Sequence, residues 1–499
     1  MLNNIYWALP EIFLSLGIVG LLWYGVIASK LGKKVSRLVE INYISIGLLV
    51  ITAILIMNTS SNLIASSSSS IIISLDLLVV NDFTILVKLV LLMSSITILL
   101  LGIESIVREK LYDFEFPVLI LLSTLGMMLL VSSTDMIMLY LAIELLSLSL
   151  YVLASAKRNR EHSTEAGLKY FLLGALSSGL LLFGMALVYT FTGETTFAGL
   201  SSYIFYADWQ PELVAGGLFI VISLIFKLGG VPFHMWVPDV YEGSPNIVTA
   251  YFAIVPKIAT LGILYSLLTG PFLGIFNYLQ PLILISGVLS IIWAGVAALN
   301  QAKLKRLLAY SAISHVGFML IGLGTGTTFS IHATLVYILL YIIMSFNTFA
   351  FVLSVFKHGN FITQLSGLSR INPVLALSIS TLLLSIAGVP PLAGFYSKYL
   401  VLLSAFDAEL YFIAFLAVMG SAISAFYYLR VFKWIWFNDS TYFHYKDIGD
   451  VLYPVTNNKH VSFTSSIIMG SSLFIIITFM IYPNWLLDLS LTTISSGLL

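Results

Sequence analysis

Runs of about 20 apolar, uncharged residues recur from one end of the sequence to the other. Each is long enough to cross the roughly 30 Å hydrocarbon core of a bilayer as an α-helix. In hydrocarbon every backbone N–H and C=O must find a partner within the chain, which leaves helices or a closed barrel. The runs are continuous and rich in Leu and Ile rather than alternating, so helices are predicted. Only 9% of the 499 residues are charged, against roughly 25% in a soluble domain. A chain this apolar could not cover its surface in water. The sequence contains no cysteine, which excludes disulfides, thiolate zinc sites and cysteine-ligated iron–sulfur clusters. A net charge of zero argues against nucleic acid as a partner.

About fourteen spans are read, near residues 6–27, 40–58, 83–103, 115–132, 135–156, 166–191, 213–240, 246–269, 279–299, 306–324, 331–356, 374–405, 409–431 and 463–483. The two longest polar stretches are 59–82 and 432–462. Charge tests the count, because Lys and Arg accumulate in loops on the cytoplasmic or matrix side. Lys30, Lys33, Lys34 and Arg37 follow the first span, Arg108 and Lys110 the third, and Lys157, Arg158 and Arg160 the fifth. Lys303, Lys305 and Arg306 follow the ninth, Lys357 and Arg370 the eleventh, and Arg430, Lys433, Lys446 and Lys459 the thirteenth. Every group follows an odd-numbered span. The alternate loops hold Asp76, Glu194, Asp208, Glu212, Asp407 and Glu409 but no Lys or Arg. Both termini are therefore expected on the side opposite the basic loops. Met1 leads almost directly into the first span, with no Arg-rich amphipathic presequence.

Two spans are overlong and interrupted, one by Lys227-Leu-Gly-Gly-Val-Pro232 and the other by Ala387-Gly-Val-Pro-Pro391. Proline removes a donor and clashes with the preceding turn, and glycine loosens the helix further. Broken helices at membrane depth are tolerated where they line a cavity or lie buried in protein. Gly230-Val-Pro232 and Gly388-Val-Pro390 occupy the fourth span of two successive five-span blocks. Five is odd, so the second block enters from the opposite face, which is an inverted repeat. The expected organisation is three N-terminal helices over 1–114, one five-helix repeat over 115–269, a second over 279–431, and a loop with a last span over 432–499.

Lys88, Lys169, Lys227, Lys257 and Lys398 fall inside spans, and Glu144 sits near the centre of the fifth. A central lysine costs roughly 2.5–3.5 kcal/mol on insertion scales, so three of them cost on the order of 10 kcal/mol unless they face a paired or hydrated interior. At about 1.5 Å per residue, Lys257 lies mid-span, Lys227 toward the basic side before the first break, and Lys398 toward the acidic side after the second. Burial disfavours a charged amine and a nearby carboxylate favours it. A Glu144–Lys227 pair would therefore hold a proton when close and release it when apart. Lys169 lies near a span end and reads either as part of this series or as a snorkelling side chain. Lys88 reads as a snorkelling interfacial lysine. His315 and His234 read equally as relay groups or as satisfied core histidines. Gly322-x-Gly-x-Gly326 has no preceding strand and does not read as a nucleotide loop.

At these residues a family resemblance emerges. Leu141-Ala-Ile-Glu-Leu-Leu-Ser-Leu-Ser-Leu-Tyr151 resembles the fifth-span motif of the antiporter-like membrane subunits of respiratory complex I. Glu165-Ala-Gly-Leu-Lys-Tyr-Phe171 and the segment Phe226 to Pro245 are similar to the branch that holds chain 2 of NADH–ubiquinone oxidoreductase and bacterial subunit N. Lys303 to Ser311, Ser314-His-Val-Gly317 and Gly388 to Gly394 extend the match, which runs over about residues 100–430.

The resemblance implies fourteen spans, two inverted repeats and breaks in spans seven and twelve, at Gly230, Pro232, Gly388, Pro390 and Pro391. It implies proton translocation driven by quinone reduction elsewhere in the complex. It assigns the essential glutamate to Glu144 and relay lysines to Lys169, Lys227, Lys257 and Lys398. His315 is an expected member of that relay and His234 a further candidate; Lys88 matches no family motif. No cofactor is expected on this chain, with NADH, FMN, iron–sulfur clusters and ubiquinone in other subunits. Expected partners are other membrane-arm subunits, lipids, protons and ordered water. The expected location is the mitochondrial inner membrane, with the bacterial plasma membrane or thylakoid as alternatives. A subunit of a multisubunit Na⁺/H⁺ antiporter is the rival reading, and a structural spacer that no longer pumps is another.

Overall fold

The computed structural model describes residues 6–30, 34–65, 70–73, 77–109, 111, 114–206, 210–356, 360–438 and 461–497. Lys33, Lys110, Lys357, Lys446, Lys459, Asp76 and Asp208 lie outside the described residues, as does most of the polar stretch 432–462.

The chain begins with α1 (Leu9–Lys30) and α2 (Lys34–Ala65), followed by an antiparallel hairpin of β1 (Ser70–Ile73) and β2 (Leu78–Asn81). Next come α3 (Asp82–Arg108), α4 (Glu115–Ser132), α5 (Met136–Ala154), α6 (Glu161–Thr192) and the short α7 (Phe197–Tyr206). The seventh span is split into α8 (Pro211–Leu228) and α9 (Trp236–Gly243). Then follow α10 (Asn246–Thr269), α11 (Phe276–Ala298), α12 (Leu304–Thr325), α13 (Thr328–Val355) and the single turn α14 (Leu368–Ile371). The twelfth span is likewise split, into α15 (Pro373–Ala387) and α16 (Ala393–Asp407). The chain ends with α17 (Tyr411–Trp436), α18 (Phe463–Thr478) and α19 (Asn484–Gly497).

Among the described residues twelve helices are long and apolar enough to cross a membrane, and α15 and α18 are shorter apolar helices. Helix thus covers every span read from the sequence, and the architecture is that of an all-α polytopic membrane protein with two broken spans. The stretch 59–82 departs from its reading as a polar loop. Helix α2 continues to Ala65, and Ile71, Ile72 and Ile73 pair with Val80, Val79 and Leu78. β-Branched residues suit a pleated ribbon, and the low-complexity run from Ser67 to Ser70 in the sequence beside them obscures that signal.

Local chemistry sets the helix ends. Asn81 and Thr84 form a reciprocal capping box at the start of α3. Asp135 caps α5 through the Ile137 N–H at 2.7 Å and also accepts a hydrogen bond from the Thr195 hydroxyl. Such caps satisfy donors that hydrocarbon would leave bare. Serine and threonine hydroxyls inside the spans, such as those of Ser94, Ser123 and Ser223, donate back to carbonyls three residues earlier. They thereby enter the apolar phase without loose donors.

The helices form two compact units. The first comprises Met1–Gly229, Gly243–Ile283 and Asp488–Leu499, and the second Gly230–Glu242 and Leu284–Leu487. In the first, α6 packs along α8, α4 along α5, and α10 against α3, α4 and α8. In the second, α13 packs against α12, α16 and α18, and α15 against α17. Helices α10 and α12 are buried along almost their whole apolar length. The exterior is apolar instead: Trp23, Phe171, Leu176, Phe183, Phe412 and Phe415 are all exposed. Large aromatic and aliphatic groups facing outward on so many helices suit lipid rather than water.

Candidate functional site

In the first unit, the segment after Lys227 ends its helix because Gly229 turns the backbone left-handed at φ 81°, a conformation that only glycine adopts cheaply. Lys227 therefore occupies the last turn of α8. Its Nζ donates to the Tyr151 hydroxyl at 3.3 Å and stands 5.7 Å from the centre of that ring. On α5, Glu144 precedes Tyr151 by seven residues, two turns back on the same face. Its charge reaches Lys227, yet its Oε1 is buried and makes no hydrogen bond. Ser147 fills the turn between them and meets the Tyr151 hydroxyl. A buried carboxylate oxygen without a partner is costly, so Glu144 is poised to gain from an approaching ammonium or an entering water.

Packing fixes Tyr151. Tyr170 of α6 meets its ring edge-on, with centroids 4.8 Å apart. Gly174 makes room for the hydroxyl, since a Cβ there would lie 2.0 Å from the Tyr151 oxygen. Lys257 is buried at 6% exposure on α10, a helix that also packs on α8. Lys169 is placed differently. Its side chain is 43% exposed on α6 and pairs with Glu165 at 2.7 Å.

In the second unit, Gly388 ends α15 in the same left-handed manner, at φ 92°. Lys398, buried on α16, donates to the Ala387 carbonyl at 2.9 Å. The ammonium thus sits at the carbonyl end of a half-helix, where the helix dipole favours a cation. Its other side lies over the Phe318 ring, 5.6 Å from the centroid. Phe318 stacks on Tyr337, and the Tyr337 hydroxyl bonds the buried His315 at Nδ1 over 2.7 Å. His315 is therefore a hydrogen-bonded interior histidine beside the lysine platform, a finding compatible with both of its readings. His234 is buried in the loop after the first break, edge-on to Trp293, with its Nδ1 lacking a hydrogen bond.

Lys88 corrects its reading as a snorkelling lysine. It is 4% exposed and pairs with Glu11 of α1 at 2.6 Å. The two lie 77 residues apart in sequence, so only the packing of α1 near α3 reveals the match. At the basic ends, Glu109 pairs with Lys157 and accepts the Asn246 N–H at the start of α10. Burial holds the Lys157 amine below its usual value despite the carboxylate beside it. Glu242 pairs with Lys303 and Arg306, and Arg306 also reaches Asp239. Burial pushes the Glu242 carboxyl up, but the two cations outweigh it and hold the group below the usual carboxylate range. Tyr151 and Tyr337 escaped the sequence reading. Tyr151 stands at the heptad spacing from Glu144 and could have been found; Tyr337 carries no comparable signal.

Interrupted membrane helices with buried amines at the breaks define a transporter-type polytopic membrane protein. The chain belongs to the family described as NADH:quinone oxidoreductase/Mrp antiporter, TM, which matches residues 133–424. It is 38% identical over 493 residues to NADH-quinone oxidoreductase subunit N of Pelagibacter ubique, covering 98% of each chain. It is 44% identical over 365 residues to subunit N of Rhodospirillum rubrum, covering 72% of this chain and 75% of the relative. Among solved structures it resembles a chain of respiratory complex I from Thermus thermophilus with bound aureothin, at TM-score 0.77 and 27% identity over 96% of this chain and 98% of that one. A chain of the Mrp complex from Dietzia shares the fold at TM-score 0.82 and 19% identity, over 99% and 98% of the two chains.

Proposed function

We propose that this chain is a proton-translocating, antiporter-like subunit of the membrane arm of a complex I, coupled to electron transfer from NADH to quinone in other subunits. The observation that carries the reading is the Glu144–Tyr151–Lys227 cluster at the end of a broken helix. A lysine held by a neutral hydroxyl, with an unsatisfied carboxylate nearby, has two arrangements of different proton affinity. Movement between them loads or releases a proton without any cofactor.

The relay order read from depth is Lys227, Lys257, His315 and Lys398, with Glu144 modulating the first. Lys169, on the exposed side of α6, serves at its edge. The blocks 115–269 and 279–431 act as two inverted repeats, a reading supported by the matching glycine ends at Gly229 and Gly388. The chain takes other complex I membrane subunits, lipids, protons and water as partners. It has no cysteine to ligate an iron–sulfur cluster, and in this reading FMN, NADH and ubiquinone also belong to those other subunits. The relatives named above are bacterial, which supports a bacterial plasma membrane; the segments Ser163-Thr-Glu-Ala-Gly167 and Tyr241-Glu-Gly-Ser-Pro245, in an Ile-, Phe- and Ser-rich chain, are the ground for the mitochondrial inner membrane. Membrane fractionation of the source cell decides between them.

The test is Lys227→Ala in the assembled complex, with proton uptake into vesicles measured alongside NADH oxidation. A loss of pumping with assembly intact is expected, and unchanged rate and stoichiometry would overturn the reading. The family description also names Mrp antiporters, so a Na⁺/H⁺ antiporter subunit is the second reading. Copurification with a flavin-containing electron-transfer arm decides against it.

A further inference from the structure

The second unit contains buried hydroxyls that the relay above does not use. Ser311, Ser314, His315 and Phe318 fall at i, i+3, i+4 and i+7 of α12, which is one face of the helix. Both serines donate to backbone carbonyls within α12, leaving their oxygen lone pairs free to accept. Facing them from α17 are Tyr427 and Tyr428, with ring centroids 4.3 Å apart. Both side chains are essentially inaccessible, and their hydroxyls approach each other and the two serines without closing a well-formed hydrogen bond. Tyr427 faces Ser314, Tyr428 faces Ser311, and both lie within electrostatic reach of the Tyr337 hydroxyl that bonds His315.

Packing alone does not account for this pair. Phenylalanine would fill the same volume without burying two hydroxyls whose contacts to each other and to the serines are only loosely formed, and an incompletely satisfied buried hydroxyl costs free energy. Depth gives the hydroxyls a direction. Ser311 lies about 10 Å from the start of α12 and Tyr428 about 12 Å from the end of α17, at about 1.5 Å per residue. Both of those helix ends belong to basic loops. The hydroxyls thus lie on the basic side of His315, with the outermost of them still about 10 Å inside the helix start.

We propose that Tyr427 and Tyr428 are proton-carrying residues whose hydroxyls, with Ser311 and Ser314, link His315 to the basic side of the membrane. The second unit then has a proton uptake line of its own. Each hydroxyl passes one proton toward the His315–Tyr337 bond and takes another from its outer neighbour or from water. No tyrosinate forms and no net charge is left behind. The proposal rests on the relay reading above, and its experiment separates the two.

Tyr427→Phe/Tyr428→Phe and Lys227→Ala are each introduced into the complete complex in membrane vesicles. Assembly is followed on native gels, and NADH-driven acidification is recorded in H₂O and D₂O. The phenylalanine pair keeps both rings, and a fall of about tenfold in acidification, roughly 1.4 kcal/mol, is expected with a larger solvent isotope effect. A merely structural role would leave the isotope effect unmoved. Normal acidification in this variant, while Lys227→Ala stops pumping, overturns the uptake line and leaves the relay standing. Normal pumping by Lys227→Ala overturns both. If the phenylalanine pair does not assemble, Ser311→Ala/Ser314→Ala is read by the same criteria.

Discussion

The Lys227 ammonium donates to the Tyr151 hydroxyl rather than to Glu144, whose Oε1 lies buried without a hydrogen bond two turns back on the same helix. The neutral partner keeps the amine within reach of the carboxylate without closing the ion pair. Tyr151→Phe should shift that balance toward Glu144. The lost hydrogen bond is worth about 0.5–1.5 kcal/mol, so a fall of a few-fold in pumping rate is expected, with assembly retained. Vesicle acidification by the Phe variant at the wild-type rate would remove Tyr151 from the mechanism.

Gly174 supports the same contact from α6. An alanine there would bring its Cβ to 2.0 Å from the Tyr151 oxygen, so the ring or the helix must move. Gly174→Ala should therefore cost at least as much pumping as Tyr151→Phe, and in the double variant it should add less than its full single-variant loss, because the oxygen clash is gone while the Cζ and Cε1 ring carbons, at 2.6 and 2.8 Å, still crowd the new methyl. Strictly additive losses in the double variant would contradict a shared cause.

The Glu11–Lys88 pair makes a stability prediction. Breaking a buried ion pair from one side leaves an uncompensated charge, which costs about 3–5 kcal/mol. Lys88→Met alone should lower the thermal midpoint of the purified complex or prevent assembly. Glu11→Leu/Lys88→Met should recover most of the loss, since an apolar pair suits the site. A double variant as unstable as the single would mean that the pair itself, and not its neutralisation, is required.

At the second break, Gly388 adopts φ 92°, and a Cβ there would come within 3.1 Å of Lys398 Cδ. Gly388→Ala combines backbone strain of roughly 1–3 kcal/mol with displacement of the buried amine from the Ala387 carbonyl. Reduced pumping together with a lower melting temperature is expected. Full activity would show that Lys398 works without this anchor.

Glu242 links pH to stability at the basic face. Its carboxyl titrates below its usual value because Lys303 and Arg306 flank it. The folded state therefore binds the proton less readily than the unfolded state. The stabilisation is present above the unfolded value, near 4.5, and is lost as pH falls through the lower folded value. Glu242→Gln should flatten the acid side of the stability profile, measured by thermal unfolding between neutral and acidic pH. An unchanged acid limb would place the sensitivity elsewhere.

The span count, the alternation of basic loops, both helix breaks and the buried amines were legible in the order of residues. Hydrocarbon imposes these features locally: a run must be long enough to cross, a charge inside it must be exceptional, and Gly-Pro must interrupt it. Tertiary structure decided what each group touches. Glu11 meets Lys88 across 77 positions and Tyr151 meets Lys227 across 76. Lys169, which resembled the other amines in sequence, ended half-exposed beside Glu165. Burial and pairing depend on which faces of distant helices pack together, and one-dimensional spacing does not encode that choice. The short hairpin before α3 escaped for a related reason, because its pairing joins two apolar triplets that look like punctuation until they are laid side by side.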